Sequence, residues 1–191
     1  MTVFFTASYY GREKYQKYYD LVRGAIEATG VKLISPEKNN YLELVSESEK
    51  RRLAEPKKIH YEAIRRGIEK ADAVIIEISN EDFQLGHEAT IAIQNKKPVL
   101  CLSIFDDFSL KITNPYFFGA KYSEYTAAEI IEEFTKRAGR RNFSERFNMF
   151  LSPGQIRYLE SAGQSFGLNK SEYLRRLIDE DMEKVKNDVE A

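Results

Sequence analysis

The feature that constrains the fold most is the stretch from residue 71 to residue 102, which reads as strand, loop, helix and strand. Ala73–Ile78 and Val99–Leu102 are short apolar runs rich in β-branched residues, a composition typical of strands buried on both faces. Between them lies a polar loop, after which we expect Gly86 to begin a helix that ends near Asn95. Two parallel strands joined by one helix form a βαβ unit, so the sequence predicts a parallel sheet.

The rest of the first 138 residues continues this alternation of strands and amphipathic helices. The further predicted elements are a strand at Val3–Thr6, a helix ending at Gly30, a strand at Val31–Ser35, a helix at Ile59–Ala71, a strand at Tyr116–Tyr122 and a helix at Thr126–Ala138. Residues 36–58 form a polar excursion, partly helical, of a kind that often covers a ligand site. Five strands alternating with helices favour an α/β fold of the flavodoxin-like type, a five-stranded parallel sheet of order 2-1-3-4-5 with helices on both faces.

Glu88 is the first residue for which we expect a function. Open α/β sheets bind ligands at the carboxyl ends of their strands, and Glu88 follows the loop at that edge. The simpler alternative is that an acidic residue in the first turn of a helix only interacts favourably with the helix dipole. The turn that contains Ser8, Tyr9, Gly11 and Arg12 lies at the carboxyl end of the first strand, where helix-terminal N–H groups favour anions. We therefore expect one site at this edge of the sheet.

Residues 3–105 resemble the nucleoside 2-deoxyribosyltransferase family, especially its 2′-deoxynucleoside 5′-phosphate N-hydrolases. The similarity is carried by FFTASYYGRE at residues 4–13, by IHYEAIRRGIEKAD at residues 59–72 and by the sixteen-residue step from Asp72 to Glu88. The resemblance implies cleavage of an N-glycosidic bond, with Glu88 as the nucleophile and Asp72 as the acid or orienting group on the side of the base. A carboxylate beneath the anomeric carbon suits this chemistry, because it stabilises an oxocarbenium-like state or forms a covalent intermediate.

The resemblance also implies which residues contact the substrate. Ser8, Tyr9, Gly11 and Arg12 would hold the sugar or a 5′-phosphate, and Gly86 would allow close approach of the substrate. From the residues alone, the same turn is equally well explained as a tight turn with a solvated arginine.

Asp82 departs from the pattern of the phosphate hydrolases, because it stands where they place a serine that contacts the phosphate. A carboxylate that faces a phosphate is repulsive, so a free nucleoside fits no worse than a 5′-monophosphate. Gln84 and Ala7 replace glycines of the family. The preferred base, and the choice between hydrolysis and transfer, stay open.

A smaller C-terminal module is predicted at residues 146–191, joined to the first domain, residues 1–138, by a linker at residues 139–145. In it, a short alternating strand at Arg146–Leu151 precedes two helices. This β-α-α pattern resembles the ribbon-helix-helix family over residues 146–186. A lone strand and two short helices bury too little apolar surface to be stable, so we expect two copies to pair as a homodimer or higher homo-oligomer.

The second resemblance implies contacts with DNA. The paired strands of that family enter the major groove, which would direct Arg146, Asn148 and Phe150 towards the bases and place Lys170 near phosphate. The charge pattern is ambivalent, because a net positive segment is followed by a net negative one and the module is neutral overall. Dimerisation without DNA binding is the alternative.

Other signals exclude several classes of function. The single cysteine, Cys101, cannot form an internal disulfide and fits a reducing compartment, so the cytoplasm is the expected location. The sequence contains neither GxxxxGK[ST] nor GxGxxG, and no His/Cys pair at ligand spacing, so we expect neither a cofactor nor a metal ion. No apolar run reaches transmembrane length, and no membrane partner is expected.

Three functions from different classes are therefore open. The first is an N-glycosidase or deoxyribosyltransferase that uses Glu88. The second is a TIR-like NAD hydrolase or signalling domain, a fold that also combines a parallel sheet with a helix-borne glutamate. The third is a DNA-binding regulator whose α/β domain senses a nucleotide without turning it over.

Overall fold

The computed structural model of the chain describes residues 1–140 and 147–189, and it separates the protein into two compact units, residues 1–143 and residues 144–191. The first unit is a sheet covered by helices, and the described part of the second unit contains two helices. In the part of the chain that the structure describes, no helix combines the length and the apolar character needed to cross a membrane.

The first unit has the predicted order of strands and helices. Its elements are β1 (Thr2–Ala7), α1 (Arg12–Ala28), β2 (Lys32–Ile34), α2 (Glu47–Leu53), α3 (Pro56–Lys70), β3 (Ala73–Glu77), α4 (Phe83–Gln94), β4 (Val99–Ser103), β5 (Phe117–Lys121) and α5 (Ala127–Arg140). All strands are parallel and pair in the order β2-β1-β3-β4-β5, which confirms the predicted flavodoxin-like α/β fold. In this order β1 and β3 are neighbours, so their carboxyl ends meet at one edge of the sheet.

The sheet is buried on both faces because successive side chains of a strand point to opposite sides. Val74 and Ile76 of β3 pack into a core with α3 and α4, whereas Ala73 and Ile75 pack into a second core with α1 and α5. Every residue of β3 is buried, which explains its nearly uninterrupted apolar sequence.

Helix α4 begins earlier than predicted. Asp82 caps it, since one carboxylate oxygen accepts a hydrogen bond from the backbone N–H of Gln84 at 2.8 Å. The first helical residue is therefore Phe83, and the expected start at Gly86 is wrong. As a result Glu88 lies in the second turn of α4, beyond the N–H groups of the helix terminus, and the dipole explanation for its position does not apply.

The polar excursion after β2 is folded against α3. It contains two 3-10 turns, Pro36–Lys38 and Asn40–Leu44, followed by α2. Arg66 of α3 holds it in place, because its guanidinium lies 2.5 Å from a carboxylate oxygen of Glu49 and donates to the carbonyl of Leu44 at 3.0 Å. Helix α3 itself begins at Pro56 rather than at the predicted Ile59, since proline is well suited to the first helical position.

The predicted linker overlaps the end of the first unit. Helix α5 continues through Gly139 to Arg140, so the expected linker start at residue 139 is wrong, because a helix tolerates one glycine at a cost of about 1 kcal/mol. The remaining residues of the predicted linker, 141–145, lie outside the described residues.

The second unit contains α6 (Pro153–Ser165) and α7 (Lys170–Val189), with Leu159, Leu168 and Tyr173 as the buried core between them. The predicted strand at Arg146–Leu151 is not formed over residues 147–151, and Arg146 lies outside the described residues. A strand needs a neighbouring strand for its hydrogen bonds, and the described residues of this unit contain no second extended segment.

Candidate active site

A cleft opens at the edge where β1 and β3 end and where α1 and α4 begin. Its walls come from the turn after β1, the 3-10 turn after β2, one side of α3 and the first turn of α4. The cleft volume is about 60 Å³, room for a small polar group, and a larger ligand would extend into the open mouth.

Ser8 and Asp82 form the polar floor of the cleft. The hydroxyl of Ser8 donates to a carboxylate oxygen of Asp82 at 2.9 Å and accepts from the side-chain amide of Asn80 at 2.9 Å. Because Ser8 is buried and the other oxygen of Asp82 caps α4, this network fixes the turn after β1 against the start of α4. The predicted residues Ser8 and Asp82 are therefore in direct contact.

Glu88 is only 1% exposed and is not among the residues that line the cleft. One carboxylate oxygen, Oε1, accepts a hydrogen bond from the side-chain amide of Gln84 at 2.8 Å, and the other, Oε2, is buried without a partner. Burial raises the pKa of Glu88 to about 7, an effect that the side chains of Gln84 and Thr6 partly oppose. Gln84 lines the cleft, so it separates Glu88 from the space in which a ligand would bind.

His60 stands on the α3 side of the same cleft. Its Nδ1 lies 2.7 Å from the hydroxyl of Tyr41, and its Nε2 lies 3.4 Å from the side-chain nitrogen of Gln84. Burial lowers the pKa of His60 below its usual value. The side chains of Tyr41, His60, Gln84 and Glu88 thus form one connected row, which the residue patterns do not reveal because its members come from three separate segments.

Arg12 is paired with an acid at the mouth of the cleft. Its guanidinium donates to Glu37 at 2.6 Å, and the side-chain amide of Gln16 donates to the other oxygen of the same carboxylate at 2.9 Å. The guanidinium also lies over the exposed ring of Tyr9, 5.2 Å from its centroid. The lining of the cleft thus contains two carboxylates, Glu37 and Asp82, and one guanidinium, that of Arg12.

Gly11 has no room for a side chain. A Cβ at this position would overlap the hydroxyl of Tyr19 and approach Cβ of Asn80 to 2.7 Å. That hydroxyl is buried without a partner, and burial, followed by the negative charge of Glu77, raises the pKa of Tyr19. Gly86, by contrast, borders open space.

The structure does not bring Asp72 to the cleft. Asp72 precedes β3 and accepts a hydrogen bond from the backbone N–H of Thr2 at 2.7 Å, so it lies at the amino ends of β1 and β3. Thr6 and Glu88 lie at the opposite ends of these strands, which makes the expected role of Asp72 beside the base wrong. A spacing along the chain does not tell which end of a strand a residue occupies.

Glu77 is a buried carboxylate that the sequence patterns do not single out. It ends β3 on the face of α1 and α5, and it accepts hydrogen bonds from the hydroxyls of Ser79 and Tyr122. Burial raises its pKa. The sequence signal is an acidic residue inside an otherwise apolar strand, since acids are rarely buried without partners.

The residues predicted to meet DNA are only partly described. Asn148 and Phe150 are exposed, whereas the ammonium group of Lys170 lies 2.5 Å from Glu160, so a phosphate would compete with that carboxylate. Arg146 lies outside the described residues. Within the residues that the structure describes, no group of three or more His, Cys, Asp or Glu side chains is placed to hold a metal ion.

No protein-family model matches the chain, and no curated protein matches it significantly. The resemblance to nucleoside deoxyribosyltransferases therefore stays a prediction that rests on the residues quoted above.

Proposed function

We propose that the first unit cleaves the N-glycosidic bond of a nucleoside or nucleotide, as a hydrolase or a deoxyribosyltransferase, with Glu88 as the nucleophile. The observation that carries the proposal is the state of Glu88, a carboxylate beside the cleft with one buried oxygen that has no partner. A pKa of about 7 lets this group ionise near neutral pH while it stays poorly solvated and reactive.

The proposed reaction has two steps. In the first, a carboxylate oxygen of Glu88 forms a bond to the anomeric carbon while the bond from that carbon to the base breaks, and its electron pair leaves with the base. In the second, the oxygen of water, or a nitrogen of a second base, attacks the same carbon and releases Glu88. The first acceptor gives hydrolysis, and the second gives transfer.

Gln84 has to move for this reaction. Its side chain lies between the cleft and Glu88, and it donates one hydrogen bond to the carboxylate. Because Gln84 is itself exposed, its side chain has space to turn outwards when a sugar enters.

The substrate contacts that we propose are Ser8, Tyr9, Gly11, Arg12 and Asp82, with Gly86 beside open space. Ser8 and Asp82 suit sugar hydroxyl groups, because together they offer a hydroxyl and a carboxylate acceptor. Arg12 is already bound to an acid, so the cleft favours a neutral nucleoside over a 5′-phosphate, which Asp82 would repel.

Chromatographic detection of free base tests the proposal. The wild type and Glu88→Gln would be incubated with nucleosides, their 5′-monophosphates and NAD, with and without an acceptor base. We expect base release by the wild type alone, fastest from a nucleoside. Release of nicotinamide alone would favour a TIR-like NAD hydrolase instead. Base release by Glu88→Gln at the rate of the wild type would contradict the role of Glu88.

A nucleotide-sensing regulator is the second candidate. The observation that favours it is the burial of Glu88, since a site that only binds a nucleotide needs no access to this carboxylate. It would show ligand binding without turnover, together with salt-dependent DNA binding by the second unit.

We further propose that the second unit joins two copies of the chain in the cytoplasm. Its buried core is small, and α7 presents Ile178, Met182 and Val185 to solvent at helical spacing. Such a stripe is typical of a face that a second helix covers. The outward side chains Asn148 and Phe150, and Lys170, would then be shared by two copies, and DNA is a candidate partner for that assembly.

A further inference from the structure

The proposed cleavage needs a proton donor on the side of the base. When the bond to the anomeric carbon breaks, the leaving nitrogen gains an electron pair, and protonation of the base lowers the cost of this charge. The position of Asp72 at the other end of the sheet leaves this role without a residue.

The acidic side chains in the cleft are engaged as hydrogen-bond acceptors. Asp82 accepts from Ser8 and from the backbone N–H of Gln84, and Glu37 accepts from Arg12. The guanidinium of Arg12 does not give up a proton in proteins. None of these groups is a suitable acid for the base.

His60 is placed where an acid is needed. Its Nε2 lies 3.4 Å from the side-chain nitrogen of Gln84, and Oε1 of Glu88 lies 2.8 Å from the same nitrogen. Nε2 and Oε1 are therefore no farther apart than the sum of these two distances. In retaining glycosidases the acid and the nucleophile are about 5–5.5 Å apart, which this limit includes.

We infer that His60 is the catalytic acid that protonates the departing base, with Tyr41 as the residue that positions its ring; this inference rests on the proposed function. The imidazolium gives the proton on Nε2 to the leaving nitrogen as Glu88 bonds to the anomeric carbon. His60 is then neutral, and it accepts the proton of the water that attacks this carbon when Glu88 is released. The hydroxyl of Tyr41, 2.7 Å from Nδ1, accepts the other ring N–H of the imidazolium.

The two groups set the pH dependence. Glu88 must be ionised, and this form predominates only above its pKa of about 7. His60 must be protonated, and because burial lowers its pKa, this form is lost as the pH rises through a value below the usual 6.5. Because the required acid has the lower pKa, the reactive form is a minor species at every pH, and the profile of kcat/KM is a bell that falls below the pKa of His60 and above about 7. The titratable and charged groups facing this part of the cleft are Tyr41, Tyr9, Arg12, Glu37, Asp82 and Glu88.

The test compares the two histidines of the chain. His87 is exposed, stacks on Tyr61 with ring centroids 5.9 Å apart and is not part of the cleft, so His87→Gln is the matched control. On the nucleoside that the wild type cleaves fastest, we expect His60→Gln to lower kcat/KM at least about 100-fold and to remove the alkaline limb of the profile. His87→Gln keeps both the rate and the profile.

Tyr41→Phe provides a second test, the pH profile of kcat/KM, which would not change if the role of His60 were only structural. Without the hydroxyl, the imidazolium loses an acceptor and the pKa of His60 falls, so we expect the acid limb to shift to lower pH while the alkaline limb, which Glu88 sets, stays. Base release by the wild type and by His60→Gln at similar rates with the same limbs overturns the inference and leaves the proposed function standing. No base release by the wild type from any substrate overturns both.

Discussion

Gly11 lies at a point where single atoms determine the packing of the cleft. A Cβ there would overlap the hydroxyl of Tyr19 and press on Asn80, the residue that donates to Ser8. We expect Gly11→Ala to lower the free energy of unfolding by about 1–3 kcal/mol, because overpacking forces side chains out of place. Urea denaturation monitored by circular dichroism measures it.

Gly24 is the matched control for that substitution. It lies inside α1, and no atom outside its own helical surroundings comes within 4 Å of the position that a Cβ would take. Gly24→Ala should therefore raise stability by up to about 1 kcal/mol through helix propensity. Equal effects of the two substitutions would contradict the packing that we describe around Gly11.

The role of each acid can be read from the sequence only in part. The sequence predicts Glu88 at the ligand edge because parallel strands end there, and in the structure it accepts a hydrogen bond from Gln84, which lines the cleft. The role of Asp72 rests on resemblance and spacing, neither of which distinguishes the two ends of a five-residue strand. The row from Tyr41 through His60 to Gln84 depends on how the excursion folds back, and local patterns do not contain that information.

An ion pair between Glu49 of α2 and Arg66 joins α2 to α3, in addition to the packing of Leu53 against the core. The guanidinium of Arg66 and the Ser46 cap hold the pKa of Glu49 down at about 2, well below the usual 4.5. A lowered pKa means that this stabilisation is complete above about pH 4.5 and is lost as the pH falls towards about 2. We therefore expect the amide resonances of α2 to shift over that range, as followed by NMR.

At neutral pH, Glu49→Gln should already speed hydrogen exchange in α2 while α4 stays protected. Glu47→Gln is the control, since Glu47 pairs with Lys50 inside the same helix and does not reach α3. Unchanged exchange in Glu49→Gln would show that another contact holds α2.

The elements are easier to predict than their ends. Apolar runs and helical spacing are enough for the five-stranded order, because buried parallel strands and amphipathic helices have distinct periods. The start of α4 is harder to place because Asp82 reads as part of a polar loop until its carboxylate is seen to cap the helix. The strand predicted before α6 depends on a partner strand, which no local pattern supplies.

At the scale of the whole molecule, the second unit should determine the oligomeric state. We expect the wild type to be a dimer by light scattering and Ile178→Asp to be a monomer, because a charge in the α7 stripe opposes burial of that face. Asp179→Ala, exposed and off the stripe, should remain a dimer. A monomeric wild type, or an Ile178→Asp variant that is still a dimer, would rule out this interface.

The central claim is that Glu88 attacks the substrate and that Asp72 takes no part in the reaction. The most direct measurement is the rate of base release by wild type, Glu88→Gln and Asp72→Asn, with circular dichroism to confirm that each is folded. The account predicts release by wild type and by Asp72→Asn at similar rates, and none by Glu88→Gln, because only Glu88 lies beside the cleft. Release by Glu88→Gln at the rate of the wild type would contradict it.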